Sequence, residues 1–228
     1  MLQSMPASSV DLILADLPYG TTRNKWDSVI PLDAIWAAYK HVLKPDGCVV
    51  LTAAQPFTSL LVMSNLDWFK YEWVWSKTIG SGQLNSKKQP LRTHESVLVF
   101  APRTAPYFPQ MDTGTPYTAK RKGASWQGRG YNNQTNHTTV NNGTRYPKSV
   151  LHVPNPRIKG GHPTQKPLAL FEYIINTYTE PGQLVLDNVI GSGTTAEAAE
   201  NTGRLWVGME LDAGYASKAR ARVGVDTP

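Results

Sequence analysis

Leu184-Val185-Leu186-Asp187-Asn188-Val189-Ile190-Gly191-Ser192-Gly193-Thr194-Thr195-Ala196 passes from an apolar run, through an acid, into a glycine-rich turn and then into residues that open a helix. A short apolar run bounded by turn signals reads as a buried strand. Gly191 and Gly193 let the main chain approach a ligand where a Cβ would collide. The helix predicted over 194–201 ends before Gly203, a C-terminal stop. Leu205 to Met209 then forms another strand ending at Glu210, whose carboxylate can accept hydrogen bonds from both hydroxyls of a ribose. Taken alone, Gly-Ser-Gly-Thr-Thr-Ala also fits the dinucleotide pattern G-x-G-x-x-A, so an NAD-linked dehydrogenase competes at this point.

Working outward, the same alternation of strand and helix recurs. Val10 to Ala15 is a buried strand ending at Asp16. Leu32, Ile35, Trp36, Tyr39 and Leu43 repeat at helical spacing, and Pro45-Asp46-Gly47 is expected to stop that helix. Cys48 to Leu51 makes a second strand ending at Thr52, followed by a short helix over 57–65. Tyr71, Trp73 and Trp75 alternate as a strand does, and Ser96 to Phe100 makes another. Leu168, Phe171, Ile174, Ile175 and Tyr178 mark a helix opened by Pro167, and 213–222 forms the last one. This order predicts an α/β fold with a mainly parallel sheet and helices on both faces. Ligands in such sheets bind beyond the carboxyl ends of the strands, here marked by Asp16, Thr52, Asp187 and Glu210.

The chain has 228 residues, 40% of them hydrophobic, which allows one sizeable core and excludes wholesale disorder. No run approaches a membrane span, and the N-terminus lacks the features of a signal peptide, so a cytoplasmic protein with no membrane partner is expected. The single Cys48 cannot pair internally, and the sequence offers no metal cluster. The net charge of +6 is unevenly distributed: residues 76–160 hold thirteen Lys and Arg against Glu95 and Asp112 alone, a local +11 that leaves −5 for the rest. An acidic body with a basic middle is the pattern of a catalytic core carrying a polyanion-binding insert. Residues 101–149 also lose all periodicity and are rich in Pro, Gly, Asn and Thr. A loop of that length is functional or partly disordered.

Asp16-Leu17-Pro18-Tyr19 follows the first strand, and His162-Pro163-Thr164-Gln165-Lys166-Pro167 precedes the glycine-rich segment. With Asp187-x-x-x-Gly191-Ser192-Gly193-Thr194-Thr195, these motifs resemble the S-adenosylmethionine-dependent DNA amino-methyltransferases, whose tetrapeptide is D-P-P-Y or S-P-P-Y. Trp75-Ser76-Lys77, His94-Glu95 and Arg145 to Val150 also recur in that family, so the likeness covers most of the chain and is weakest over 101–144. The catalytic motif comes first, the basic insert second and the cofactor motif last, as in the family's permuted β group. A dehydrogenase has no use for the tetrapeptide or the insert. The resemblance implies a Rossmann-like class I methyltransferase fold. Its single domain would comprise a catalytic half (1–100), a basic target-recognition insert (101–149) and a cofactor-binding half (150–228).

The resemblance also implies roles. Asp16 would accept one hydrogen of an exocyclic amine, the Leu17 carbonyl the other, and Tyr19 would stack on a base flipped out of the helix, with Pro18 part of the same catalytic tetrapeptide. S-adenosylmethionine would be held by Thr164 and Lys166 at its methionine end, by Asp187, Gly191, Ser192, Gly193 and Thr194 along the loop, and by Glu210 at the ribose. Double-stranded DNA is the expected partner, contacted by Lys87, Lys88, Lys120, Arg121, Lys122, Arg129 and Arg145, and the resemblance leaves room for a homodimer. Asp16 favours adenine N6 over cytosine N4. Two departures, Leu17 in place of Pro and Asn188-Val189 in place of Pro-Phe, keep a catalytically weakened DNA-binding relative open as an alternative.

Overall fold

The computed structural model describes residues 2–21, 27–121, 137–155 and 165–224. In chain order it contains β1 (Val10–Ala15), α1 (Leu32–Val42), β2 (Leu43–Ala53), α2 (Phe57–Met63), β3 (Phe69–Ser81), β4 (Arg92–Phe100), β5 (Asp112–Thr113), β6 (Tyr117–Arg121), β7 (His137–Asn141), β8 (Thr144–Arg145), β9 (Val150–His152), α3 (Leu168–Tyr178), β10 (Leu184–Asp187), α4 (Thr194–Asn201), β11 (Leu205–Gly208) and α5 (Ala213–Val223). The chain divides into two compact units, one made of Met1–Phe108 with Ser149–Pro228, the other of Pro109–Lys148.

Among the described residues the larger unit holds a seven-stranded sheet in the order β11-β10-β1-β2-β4-β3-β9. β11, β10, β1 and β2 run parallel, β4 is antiparallel to both its neighbours, and β9 pairs parallel with β3. Side chains alternate across the sheet and build two cores. Leu12, Leu14, Cys48, Val50, Val97 and Val99 pack with Leu170, Phe171, Ile174 and Ile175 of α3. Ile13, Ala15, Val49, Leu51, Leu98 and Phe100 pack on the other face with Ile35, Trp36 and Tyr39 of α1 and with Phe57 and Leu61 of α2. Both faces of the central strands are therefore covered, which is why those strands read as continuous apolar runs.

Three expected boundaries move. The helix over α1 stops at Val42, and Leu43 adopts extended backbone and pairs with Val10, opening β2 five residues early. Pro45-Asp46-Gly47 ends no helix; it lies in an irregular stretch of β2, where Leu12 pairs next with Cys48. Gly47 is required there because a Cβ would lie 2.7 Å from the Asp11 carbonyl oxygen. β11 closes at Gly208, so Glu210 sits two residues past the strand.

The smaller unit is more ordered than its composition predicts. β5 pairs with β8 and β6 with β7, each antiparallel. Arg145 organises it: its guanidinium donates to the carbonyls of Thr115 and Thr144 and to the Asn141 side chain, and lies 4.8 Å from the centre of the Tyr117 ring.

Candidate functional site

β1 lies between β10 and β2, so the chain leaves its carboxyl end towards one side of the sheet while β10 leads to the other. A crevice opens at such a switch point. Here it is a cavity of about 840 Å³, lined by Asp16 and Pro18 from the loop after β1 and by Asp187 to Ser192 from the loop after β10. Lys166, Glu210 and Asp212 complete its polar rim, and Ile35, Phe171, Ile190 and Met209 its apolar wall. One cavity thus joins the two motifs that sequence placed 171 residues apart.

The Asp16 carboxylate is crowded with donors. Oδ1 accepts from the Tyr19 hydroxyl at 2.7 Å and from the Thr52 hydroxyl, and Oδ2 accepts from Lys166 Nζ at 2.7 Å. Lys166 is only 7% exposed in its side chain and also reaches Glu95 Oε2 at 3.3 Å. Glu95 in turn takes Lys77 on its other oxygen. The result is a partly buried row of alternating charge, Lys77, Glu95, Lys166, Asp16. Burial alone would lower the Lys166 pKa, but the fields of Asp16 and Glu95 outweigh it and hold the ammonium above its usual range. Tyr19 is pushed well above its ordinary range, first by burial and then by the same two carboxylates, so its hydroxyl stays a donor. Its ring stacks on Phe57 with centroids 5.4 Å apart. Leu17 is 2% exposed and belongs to the core, where it anchors the loop by packing rather than by a proline's fixed φ.

The loop after β10 is shaped by Asp187. Its Oδ1 accepts from the Val189 amide at 3.0 Å, and Thr195 donates to Oδ2. Burial pushes this carboxyl up to about 7, against the pull of those two hydrogen bonds. Tyr39 donates to Asn188 Oδ1 at 2.6 Å, giving Asn188 a structural partner. Gly191 (φ +53°) and Gly193 (φ +85°) both need the left-handed region. A Cβ on Gly193 would lie 2.9 Å from Ala219 Cα, whereas one on Gly191 would meet only the Val189 carbonyl, at 3.9 Å. The first glycine therefore lines open cavity and the second permits helix packing. Glu210 accepts from the Gly191 amide at 2.9 Å and from the Asp212 amide at 2.9 Å, which fixes its carboxylate at the mouth of the loop. Ser192 and Thr194 are tied to α5 through Arg222, which reaches the Ser192 carbonyl and the Thr194 hydroxyl.

The sequence-predicted residues thus fall into three groups. Asp16, Pro18, Lys166, Asp187, Gly191, Ser192, Thr194 and Glu210 converge on the cavity, with Tyr19 bonded to Asp16 and Gly193 behind them. Lys87, Lys88 and Lys120 are exposed, while the guanidinium of Arg145 is engaged inside the smaller unit. Thr164, Lys122 and Arg129 lie outside the described residues, as does the Arg121 side chain. Lys77, Glu95 and Thr52, which the sequence alone does not connect to Asp16, complete this cluster. The signal for Glu95 was a lone acid at the start of an apolar strand, with Lys77 on the strand before it.

The cavity suits a nucleoside-bearing cation. It offers an apolar wall, an open glycine cradle, and the carboxylates of Glu210 and Asp212. Comparisons with known proteins agree with this arrangement. A family model described as DNA methylase matches residues 10–221. The DNA adenine methyltransferase YhdJ of Escherichia coli K12 is 30% identical over 98% of this chain and 79% of its own length. The crystal structure of the M1.HpyAVI–SAM complex superposes with a TM-score of 0.63 at 24% identity, covering 96% of this chain and 90% of that one. PvuII DNA methyltransferase, cytosine-N4-specific, superposes with a TM-score of 0.68 at 18% identity, covering 97% and 82%. The two structures share the fold.

Proposed function

The chain belongs to the DNA methylase family of N6-adenine and N4-cytosine amino-methyltransferases, and from that premise we propose that it methylates adenine N6 in double-stranded DNA with S-adenosylmethionine as donor. The observation that carries the reading is the single cavity with Asp16 on one side and the Asp187–Thr194 loop with Glu210 on the other. When bound, S-adenosylmethionine supplies an activated sulfonium methyl group. Glu210 would hold its ribose, the open cradle at Gly191 would admit its backbone-facing edge, and Asp187 would hold the loop in shape.

The amine of adenine is a poor nucleophile because its lone pair is delocalised into the ring. Asp16 counters this by accepting an amino hydrogen, with the Leu17 carbonyl as second acceptor, so that the lone pair turns out of the ring plane. Asp16 Oδ1 is taken by Tyr19 and Thr52 in this structure, so an incoming amine competes with the Tyr19 hydroxyl. Release of that bond frees the Tyr19 ring to stack on the extruded base. Lys166, bound to Oδ2 at 2.7 Å, fixes the orientation of the carboxylate in which Oδ1 meets the amine. Asp16 is also the acceptor at hand for the proton that the methylated nitrogen sheds. Orientation of the two reactants supplies much of the rate. The Asp in the tetrapeptide and the YhdJ likeness support adenine.

Incubation with methyl-labelled S-adenosylmethionine and unmethylated duplex DNA, followed by digestion to nucleosides, tests this. Label in N6-methyldeoxyadenosine is expected. Label in N4-methyldeoxycytidine would replace the target base, and label in neither would overturn the reading.

A further inference from the structure

β3 and β4 form a hairpin that continues past the sheet. The last residue of β2, Ala53, pairs with Ser96, so β4 residues before Ser96 extend beyond the carboxyl end of β2. That is also the end of β1 that carries Asp16. β3 leaves the sheet on the same side, and the two strands stay paired at Ser76 with His94 and again at Ser81 with Arg92. At about 3.3 Å per residue, the arm overhangs the catalytic edge by roughly 15 Å.

Its tip is built, not loose. Gly82 turns the chain at φ +93°, and a single 3₁₀ turn covers Gln83–Asn85. The Asn85 amide donates to the Gly82 carbonyl at 2.9 Å, and the amides of Lys88 and Gln89 donate to the Asn85 carbonyl at 2.8 and 3.0 Å. This ordered turn holds Leu84 outward with 103% exposure. Ile79 and Leu91 are also exposed on the arm, as are Lys87, Lys88 and Arg92. Residues 78–93 contain these three cations and no acid. An ordered turn that displays a leucine, on an arm whose exposed charges are all positive, fits a polyanion with an apolar interior. Duplex DNA has that chemistry, and its major groove admits a two-stranded ribbon.

We propose that the β3–β4 hairpin is a duplex-engaging arm, in which Lys87, Lys88 and Arg92 neutralise phosphates and Leu84 wedges into the base stack as the target base leaves it. Apolar side chains inserted between base steps are an established way of opening a stack. The proposal rests on the methyltransferase reading for its wedge and on charge complementarity for its phosphate contacts.

Two measurements separate these parts. The triple variant Lys87→Gln, Lys88→Gln, Arg92→Gln is compared with the wild type for binding to a duplex of random sequence across a salt series. The slope of log affinity against log salt is expected to shrink by about two to three, near 0.9 per lost phosphate contact. An unchanged slope overturns the phosphate role. Leu84→Ala is then assayed for methyl transfer to unmethylated duplex DNA and to the same DNA as single strands, which have no base pairs to break and no duplex stack to open. Transfer to duplex is expected to fall about tenfold or more, with transfer to single strands within about twofold of wild type. Equal effects on both substrates overturn the wedge. A wild type that labels neither substrate overturns the methyltransferase reading and the wedge together, while the salt slope still decides the cations.

Discussion

Lys166 Nζ lies 2.7 Å from Asp16 Oδ2 and 3.3 Å from Glu95 Oε2, so one buried ammonium bridges the acid of the Asp16–Tyr19 tetrapeptide and an acid from the sheet's antiparallel strand. Lys166 is the residue just before Pro167, which caps α3. The position of the Asp16 carboxylate is thereby tied to the segment that leads into α3 and on to β10.

Glu95 is expected to act through this bridge. Glu95→Gln keeps the shape but removes the charge that shares Lys166 with Asp16. Methyl transfer should fall by about tenfold or more while cofactor affinity, measured by calorimetry, stays within about threefold, since a lost transition-state interaction lowers the rate constant without altering ground-state binding. Glu95→Asp should recover part of the rate. A fall in cofactor affinity as large as the fall in rate would assign Glu95 to the cofactor instead.

The two loop glycines should separate stability from binding. Gly193→Ala imposes both a left-handed φ and a 2.9 Å approach to Ala219 Cα, and should cost about 2 kcal/mol or more. Gly191→Ala has room for its Cβ and should cost about 1 kcal/mol. Because Gly191 lines the cavity, its variant should nevertheless be the one that loses cofactor affinity relative to its loss of stability. Thermal midpoints and calorimetric affinities of the pair check this ordering.

Asp187 sets a pH dependence of stability. Its carboxyl titrates near 3.8 in an unfolded chain and near 7 in the folded one. Between those values the folded state binds the additional proton, so the favourable contribution of this group is full below about pH 4 and is lost as the pH rises to about 7. The span is at most about 4 kcal/mol. Asp187→Asn removes the charge and can still accept from the Val189 amide. Its thermal midpoint should exceed that of the wild type at pH 8 and converge with it near pH 4. An equal difference at both pH values would contradict this origin.

Arg145 should behave as a structural residue of its unit. Arg145→Ala removes donors to Thr115, Thr144 and Asn141 together with the stacking on Tyr117. Amide exchange over 112–121 and 137–145 should accelerate, and Arg145→Lys should not restore it, because a point charge cannot reproduce the planar fork. Retained protection in the alanine variant would return Arg145 to the DNA-contacting set.

What could be read from sequence follows from how local each signal is. Asp16 and Asp187 were legible because each ends a buried apolar run, and both lie at the switch point where β1 and β10 pair through Leu12 and Val185. The start of β2 was not, because Pro45-Asp46-Gly47 carries turn chemistry that here serves an irregular strand over the Asp11 carbonyl. The ribbons β6 and β7 were missed because Thr118, Lys120, Thr138 and Val140 are polar or exposed and leave no apolar face to alternate. Glu95 and Lys77 were quoted without a role at Asp16 because their meaning depends on Lys166, 71 residues further on. Charge alone placed Arg145 at the DNA, and only its partners show that its fork is engaged within the unit.

Asp16 is expected to activate the amine from a cavity it shares with the Asp187–Thr194 loop. The measurement that addresses it most directly is methyl transfer by Asp16→Ala, made alongside calorimetric binding of S-adenosylmethionine to the same preparation. Transfer should be lost to background with cofactor affinity within about threefold of wild type, the outcome expected if Asp16 holds the amine and the 187–194 loop holds the cofactor. Transfer at the wild-type rate in that variant would contradict it.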